Sequence, residues 1–328
     1  MVSVVTAQLG QTRVPDTADF ILPFQFDELH IRGRLVRLGT VADTVLRTHD
    51  YPSAVGEMLA QSLALSAVLA GALKFDGIFT LQTKGNGPIS TLVADTTSKG
   101  DMRGYANFDA DALQRSASGG LAGLAPVPRL LGAGYLAFTV DQGPHTERYQ
   151  GIVELFGSTL ADCAHQYLRQ SEQIEAGVRL AAGKGGADAM GWRAGALMLQ
   201  RLPEAASVAE AETDHGAPFK REAADEGWRR ALALMSSVTD AELLDPGIAP
   251  YDLLRRLFHE ERVSVFSAKP LAHRCRCSTL RVQRALASIP ADEIENMKVN
   301  GCVEVVCQFC NARYEFDDAA LKRFRAAG

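Results

Sequence analysis

Over the first two-thirds of the chain, apolar residues fall in short strand-like runs, broken by one long stretch at helical spacing. Residues 29–38 read as a strand with arginines at Arg32, Arg34 and Arg37. From 53 to 73 apolar residues occupy most of a helical surface, which predicts a helix buried in a core. Its longest apolar part, 58–73, is interrupted by Gln61, Ser62 and Ser66, too short and too polar to read as a membrane span. Residues 77–83 and 89–94 predict two strands joined by Lys84-Gly85-Asn86-Gly87, whose Asn-Gly pair is a hairpin signal. Strands are predicted at 135–140, 149–155, 173–182 and 192–200, and a helix at 158–171 with Ser158 as its N-cap. Hairpin-joined strands with a few interspersed helices predict an α+β fold, an antiparallel-sheet core with packed helices, over residues 1–203.

The pattern changes at 204–264. Residues 204–218 are rich in Ala, Glu and small polar residues and read as a mobile linker. Trp228, Ala231, Leu232 and Met235 then fall on one helical stripe, and Leu253, Leu254, Leu257 and Phe258 form a second. By themselves these stripes predict two helices packed on the core.

Charge follows the same division. The chain holds 34 Lys and Arg against 39 Asp and Glu, a net −5. Section 204–264 carries 13 acidic and 7 basic residues, or −6, while 265–328 carries 7 acidic and 10 basic, or +3. Neither balance suits a dedicated nucleic-acid binder. The first basic residue is Arg13, so the basic start of a signal peptide is missing and a cytoplasmic protein is expected.

Five of the six cysteines, all but Cys163, lie in the last section. Cys275-Arg276-Cys277 and Cys307-Gln308-Phe309-Cys310 are two paired motifs, and four thiolates suit a closed tetrahedral zinc site. So short a section can hardly bury enough core to fold alone, whereas structural zinc contributes about 10–16 kcal/mol. Oxidation would tie up the thiolates that the metal needs, so a zinc site and a redox switch are two states of the same sulfurs. Spacing alone does not choose between these roles.

The segment Cys275-Arg-Cys-Ser-Thr-Leu-Arg-Val through Val305-Val-Cys-Gln-Phe-Cys-Asn-Ala-Arg-Tyr-Glu-Phe resembles the redox-switch domain of the bacterial redox-regulated holdases, the 33 kDa chaperonin family. Lys84-Gly-Asn-Gly-Pro, Val93-Ala-Asp, Arg103-Gly-Tyr-Ala, Tyr149-Gln-Gly-Ile-Val-Glu-Leu, Gln170-Ser-Glu-Gln-Ile, Ala194-Gly-Ala-Leu-Met-Leu-Gln and Arg256-Leu-Phe-His-Glu-Glu extend the resemblance across nearly the whole chain. It implies a core domain (1–203), a metastable helical linker (204–264) and a small C-terminal zinc-binding redox-switch domain (265–328). One zinc ion per reduced chain would sit on Cys275, Cys277, Cys307 and Cys310. Oxidation would join Cys275 to Cys277 and Cys307 to Cys310, release zinc, unfold the linker with its Trp228, Leu232, Met235, Leu253, Leu254, Leu257 and Phe258 stripes, and favour a homodimer. Unfolded client proteins would be held without ATP and passed to ATP-driven foldases; no enzyme activity, nucleic acid or membrane is implied.

Two positions depart from the family pattern. Cys302 matches no family ligand, and on a continuous strand it faces away from Cys307; it reads as a core or surface thiol. Glu175-Ala176 stand where the family usually has Pro-Thr. Cys163 reads as a small buried residue. His273 is better placed for a hydrogen bond to a thiolate than for a ligand. His49-Asp50 and His259-Glu260-Glu261 read as solvated surface. Two other classes stay open: a zinc-ribbon nucleic-acid or assembly module, and a thiol–disulfide oxidoreductase built on Cys307 and Cys310.

Overall fold

The computed structural model describes residues 19–118, 123–143, 146–184, 191–203 and 217–326. The acidic stretch read as a mobile linker lies outside the described residues up to position 216.

Strands β1 (Phe20–Phe26) and β2 (Ile31–Leu38) open the fold as an antiparallel pair. On β1, Phe20, Leu22, Phe24 and Phe26 bury one face in one apolar cluster, while on the other face Ile21 is buried in a second cluster and Pro23 and Gln25 are half-buried. Helix α1 (Thr40–Arg47) follows. Its cap comes from outside the local sequence: the Asp19 carboxylate accepts from the backbone N–H groups of Gly39 (2.7 Å), Thr40 (3.1 Å) and Val41 (3.0 Å). Helix α2 (Ser53–Ala72) is the buried helix expected. It is long and apolar enough to cross a membrane, but 78% of its apolar window is packed inside the protein. Ser66 fits that interior by hydrogen-bonding Thr96 (2.8 Å), and Ser62 by donating to the Met58 carbonyl.

Strands β3 (Ile78–Gly85) and β4 (Ile89–Thr97) form the predicted hairpin, and β5 (Asp101–Phe108) extends it. Then come α3 (Ala110–Ser118), a π turn (Val127–Leu131), β6 (Gly134–Asp141), β7 (Tyr149–Glu154) and α4 (Leu160–Gln170). The N-cap of α4 is Thr159 rather than Ser158, because Thr159 and Asp162 close a reciprocal capping box. Strands β8 (Ala176–Lys184) and β9 (Trp192–Arg201) complete the first part.

Two sheets enclose α2. Sheet A runs β8-β9-β2-β1, and sheet B runs β7-β6-β3-β4-β5, with antiparallel neighbours throughout. This is the α+β fold expected. The far face of sheet A is covered by α5 (Ala217–Ser236), α6 (Asp240–Leu244) and α7 (Pro250–Leu257). Glycines make the approach close: a Cβ on Gly177 would meet Leu232 at 2.4 Å and Met235 at 2.8 Å, and one on Gly195 would meet Leu243 at 2.8 Å.

The chain next straps both sheets. Strands β10 (Val263–Val265) and β11 (Lys269–Pro270) pair with β1, and β12 (Ala272–His273) runs parallel to β5. Residues 265–273, grouped from sequence with the C-terminal section, are thus hydrogen-bonded into the core sheets. The remaining module holds α8 (Thr279–Ala287), α9 (Ala291–Asn296), the hairpin β13 (Cys302–Val306) and β14 (Arg313–Asp317), and α10 (Asp318–Ala326). Its buried apolar cluster is small: Leu286, Ile294, Val303, Phe316 and Leu321.

Candidate metal centre and its seat on the core

Cys275 and Cys277 lie in the turn between β12 and α8. Ser278 caps α8 by accepting from the Arg281 N–H (3.3 Å), which fixes where the turn ends. Cys307 and Cys310 lie at the tip of the β13–β14 hairpin. There the Asn311 N–H donates to the Cys307 carbonyl (2.8 Å), the Cys307 N–H donates to the Ala312 carbonyl (2.9 Å), and Asn311 takes a left-handed φ of 56°. The two turns face each other. Cys275 and Cys307 sulfurs stand 3.7 Å apart, those of Cys277 and Cys310 3.3 Å, and all four lie within 4.8 Å of one another.

These distances suit one four-coordinate ion. A tetrahedron with metal–sulfur bonds of about 2.3 Å has sulfur–sulfur edges of about 3.8 Å. The local electrostatics favour a cation too. Burial opposes ionisation of Cys275, but the Cys277 N–H and the three neighbouring thiols overcome it and bring Cys275 down to about 7. Burial pushes Cys307 and Cys310 up, against backbone N–H groups that favour their thiolates. The group therefore gives up its first proton readily and resists losing more, a conflict that a divalent cation removes. Four clustered thiols of this kind can bind a metal ion.

Tyr314 completes the cluster, with its hydroxyl hydrogen-bonded to Cys277; that bond pushes its pKa up to about 12. The sequence pointed to His273 for such a bond. In the structure His273 Nε2 is buried without a partner and burial lowers its pKa. Cys302 lies outside the cluster, half-buried on β13 opposite Asp317. Cys163 is buried on α4, where desolvation pushes its pKa up to about 11 and keeps it a thiol. The Cys307-to-Cys310 stretch is a hairpin tip, so it lacks the helix N-terminus that activates an oxidoreductase thiol.

The residues between the cysteines were not singled out from sequence. Arg276 Nη2 donates to Asp95 Oδ2 at 2.5 Å. Asp95 sits on β4 directly across from Thr80 of β3 and Arg103 of β5, and accepts from both, at 2.6 and 2.8 Å. The Arg103 guanidinium lies 3.7 Å over the Phe309 ring, and Tyr105 meets that ring edge-on at 4.8 Å. His49 is half-buried rather than solvated: burial lowers its pKa, and a hydrogen bond to the Gln308 backbone opposes that. On β4, Leu92, Ala94 and Thr96 alternate toward α2, while Thr91, Val93 and Asp95 on the opposite face are buried as well.

The stripe residues all lie in the cluster between sheet A and α5–α7. Trp228, Met235, Leu253, Leu254, Leu257 and Phe258 are buried in it, and Leu232 packs at its edge. Phe258 meets Phe26 edge-on with ring centres 4.9 Å apart. A polar clamp that sequence reasoning missed holds the same layer: buried Arg37 donates to the carbonyls of Leu243 (3.1 Å), Ile248 (2.5 Å) and Glu242 (3.1 Å). It thereby satisfies the open C-terminus of α6.

A family model described as "Hsp33 protein" matches residues 19–317. The 33 kDa chaperonin of Caulobacter vibrioides is 37% identical over 308 residues, spanning 92% of this chain and 97% of that protein. The 33 kDa chaperonin of Ectopseudomonas mendocina is 38% identical over 313 residues, spanning 94% and 96%. The crystal structure of the 33 kDa chaperonin of Thermotoga maritima has the same fold, with a TM-score of 0.76 at 23% identity over 95% of this chain and 99% of that one.

Proposed function

Because this chain belongs to the Hsp33 family of chaperones, we propose that it is a redox-regulated, ATP-independent holdase whose reduced, zinc-loaded form is inactive. The observation that carries the reading is the meeting of two cysteine turns in one metal-sized cluster, on a chain whose preceding helices cover an apolar sheet face.

Zinc bound by Cys275, Cys277, Cys307 and Cys310 would hold the four sulfurs as thiolates and staple a module with few buried apolar side chains. Peroxide takes two electrons from each cysteine pair. The O–O bond breaks, two protons are taken up, two waters leave, and one disulfide forms, between Cys275 and Cys277 or between Cys307 and Cys310. Sulfurs tied in disulfides no longer hold the ion, and the module loses its staple. The helices of 204–264 then loosen from sheet A, and both the stripes and the face they covered become adhesive. Unfolding clients bind there, dimers form, and clients pass later to ATP-driven foldases. We assign the core to 1–203, the conditional linker to 204–264, the switch to 265–328, and the protein to the cytoplasm. It is not an enzyme and takes no nucleic acid or membrane as partner.

Light scattering from a heat-denaturing client tests this. Peroxide-treated, zinc-depleted protein is expected to suppress aggregation and reduced zinc protein to leave it unchanged. Equal behaviour of the two forms defeats the proposal.

A further inference from the structure

We propose that Asp95 and Arg276 form a latch by which the core domain holds the cysteine cluster closed and so sets how much oxidant is needed to open it. The inference rests on the redox-switch reading and adds to it a residue of the core as a positioning group.

Each cysteine motif carries a residue between its sulfurs that is anchored on sheet B. Arg276, between Cys275 and Cys277, reaches Asp95, whose side chain is only 5% exposed. Phe309, between Cys307 and Cys310, lies under Arg103 and against Tyr105. The two anchors converge, because Arg103 both bonds Asp95 and covers Phe309. Arg281 of α8 donates to the Arg276 carbonyl at 2.8 Å, so the backbone of the turn is tied as well. Asp95 thus joins three donors from two strands and the switch in a nearly water-free place, where a charge-assisted bond is strong and an unpaired charge is costly.

The geometry opposes oxidation while the latch is shut. A disulfide brings two sulfurs to about 2.05 Å. Cys275 and Cys277 have to swing toward each other about the Arg276 peptide to reach it. That rotation carries the guanidinium away from a carboxylate that is fixed on β4 by Thr80 and Arg103. By linkage, whatever docking contributes to the closed cluster, the closed cluster contributes to docking. Removing the latch while leaving all four sulfurs in place should lower the oxidant requirement.

The test uses the full-length, reduced, zinc-loaded protein and its R276Q and R276K variants. Zinc release to a chromogenic chelator is followed at one sub-saturating peroxide concentration without client, and hydrogen exchange of 272–310 is measured without oxidant. R276Q is expected to release zinc about tenfold faster, the scale for loss of one charge-assisted hydrogen bond, and to exchange faster over 272–310. R276K, which keeps a charge able to reach Asp95, is expected between the two. D95N is expected to speed release less in the R276Q background than in the wild type, because the Asp95–Arg276 bond is already gone there; should D95N not fold, the Arg276 series decides. Wild-type release and exchange in R276Q would overturn the latch. Faster release in R276Q alongside a failed client assay would instead leave the latch standing and defeat the holdase reading.

Discussion

On sheet A, helices α5–α7 lay Trp228, Met235, Leu253, Leu254, Leu257 and Phe258 over Phe24, Phe26 and Leu197, whereas the cysteine module meets sheet B through its Arg276 and Phe309. The first contact is broad and apolar, with one buried arginine, Arg37, clamping α6. The second is narrow and polar, centred on one carboxylate, and the module behind it has little apolar core of its own. Apolar burial responds weakly to oxidants, while a thiolate cluster responds directly. On the proposed reading, sensing falls to the module with little apolar core of its own, and adhesive surface lies beneath linker helices that loosen once that module unfolds.

The largest test of this contrast is C310S. Loss of one sulfur from a closed four-ligand site should abolish stoichiometric zinc and unfold 275–326, a change on the order of 10 kcal/mol for the module, while the core stays folded. Zinc analysis with hydrogen exchange reads both halves, and loss of core protection would break the separation. Next, F258A or W228A should cost about 3–5 kcal/mol by cavity formation beneath the linker helices, lowering the thermal midpoint without changing bound zinc. A fall in bound zinc with either variant would mean that the sulfur cluster needs intact linker packing in order to form. R37Q removes most of a clamp on three carbonyls and should cost about 1–3 kcal/mol, with faster exchange confined to 240–249.

A smaller effect is expected from acid. Hydrogen bonds from the Thr239 backbone and hydroxyl hold the Glu242 pKa below its usual 4.5. A depressed folded pKa means that its contribution is complete above 4.5 and is lost as pH falls through the folded value. α6 should therefore fray on acidification within that window, read as faster exchange at 240–244, and E242Q should remove the pH dependence. Smallest of all, C302S should leave zinc stoichiometry unchanged, because Cys302 stands outside the sulfur cluster.

Features that depend on neighbours in sequence were legible before the structure: the buried helix α2, the Asn86-Gly87 hairpin, the two cysteine pairs and the two apolar stripes. Features settled by distant partners were not. Helix α1 takes its cap from Asp19, twenty residues upstream of Gly39. Strands β10–β12 are too short to show a period and form only against β1 and β5. The cysteine cluster could be read as a ligand set, but its seat could not, since Asp95 and Arg276 are separated by 181 positions. Val93-Ala-Asp and Arg103-Gly-Tyr-Ala, quoted for their resemblance alone, turn out to carry that seat.

The most direct test of the account is a peroxide titration in which bound zinc, free thiols and client light scattering are followed on the same sample. Of six thiols, four should disappear in step with the loss of one zinc, leaving Cys163 and Cys302, and protection of the client should rise along the same curve. Protection already complete in the reduced zinc form, or four thiols lost with zinc retained, would contradict it.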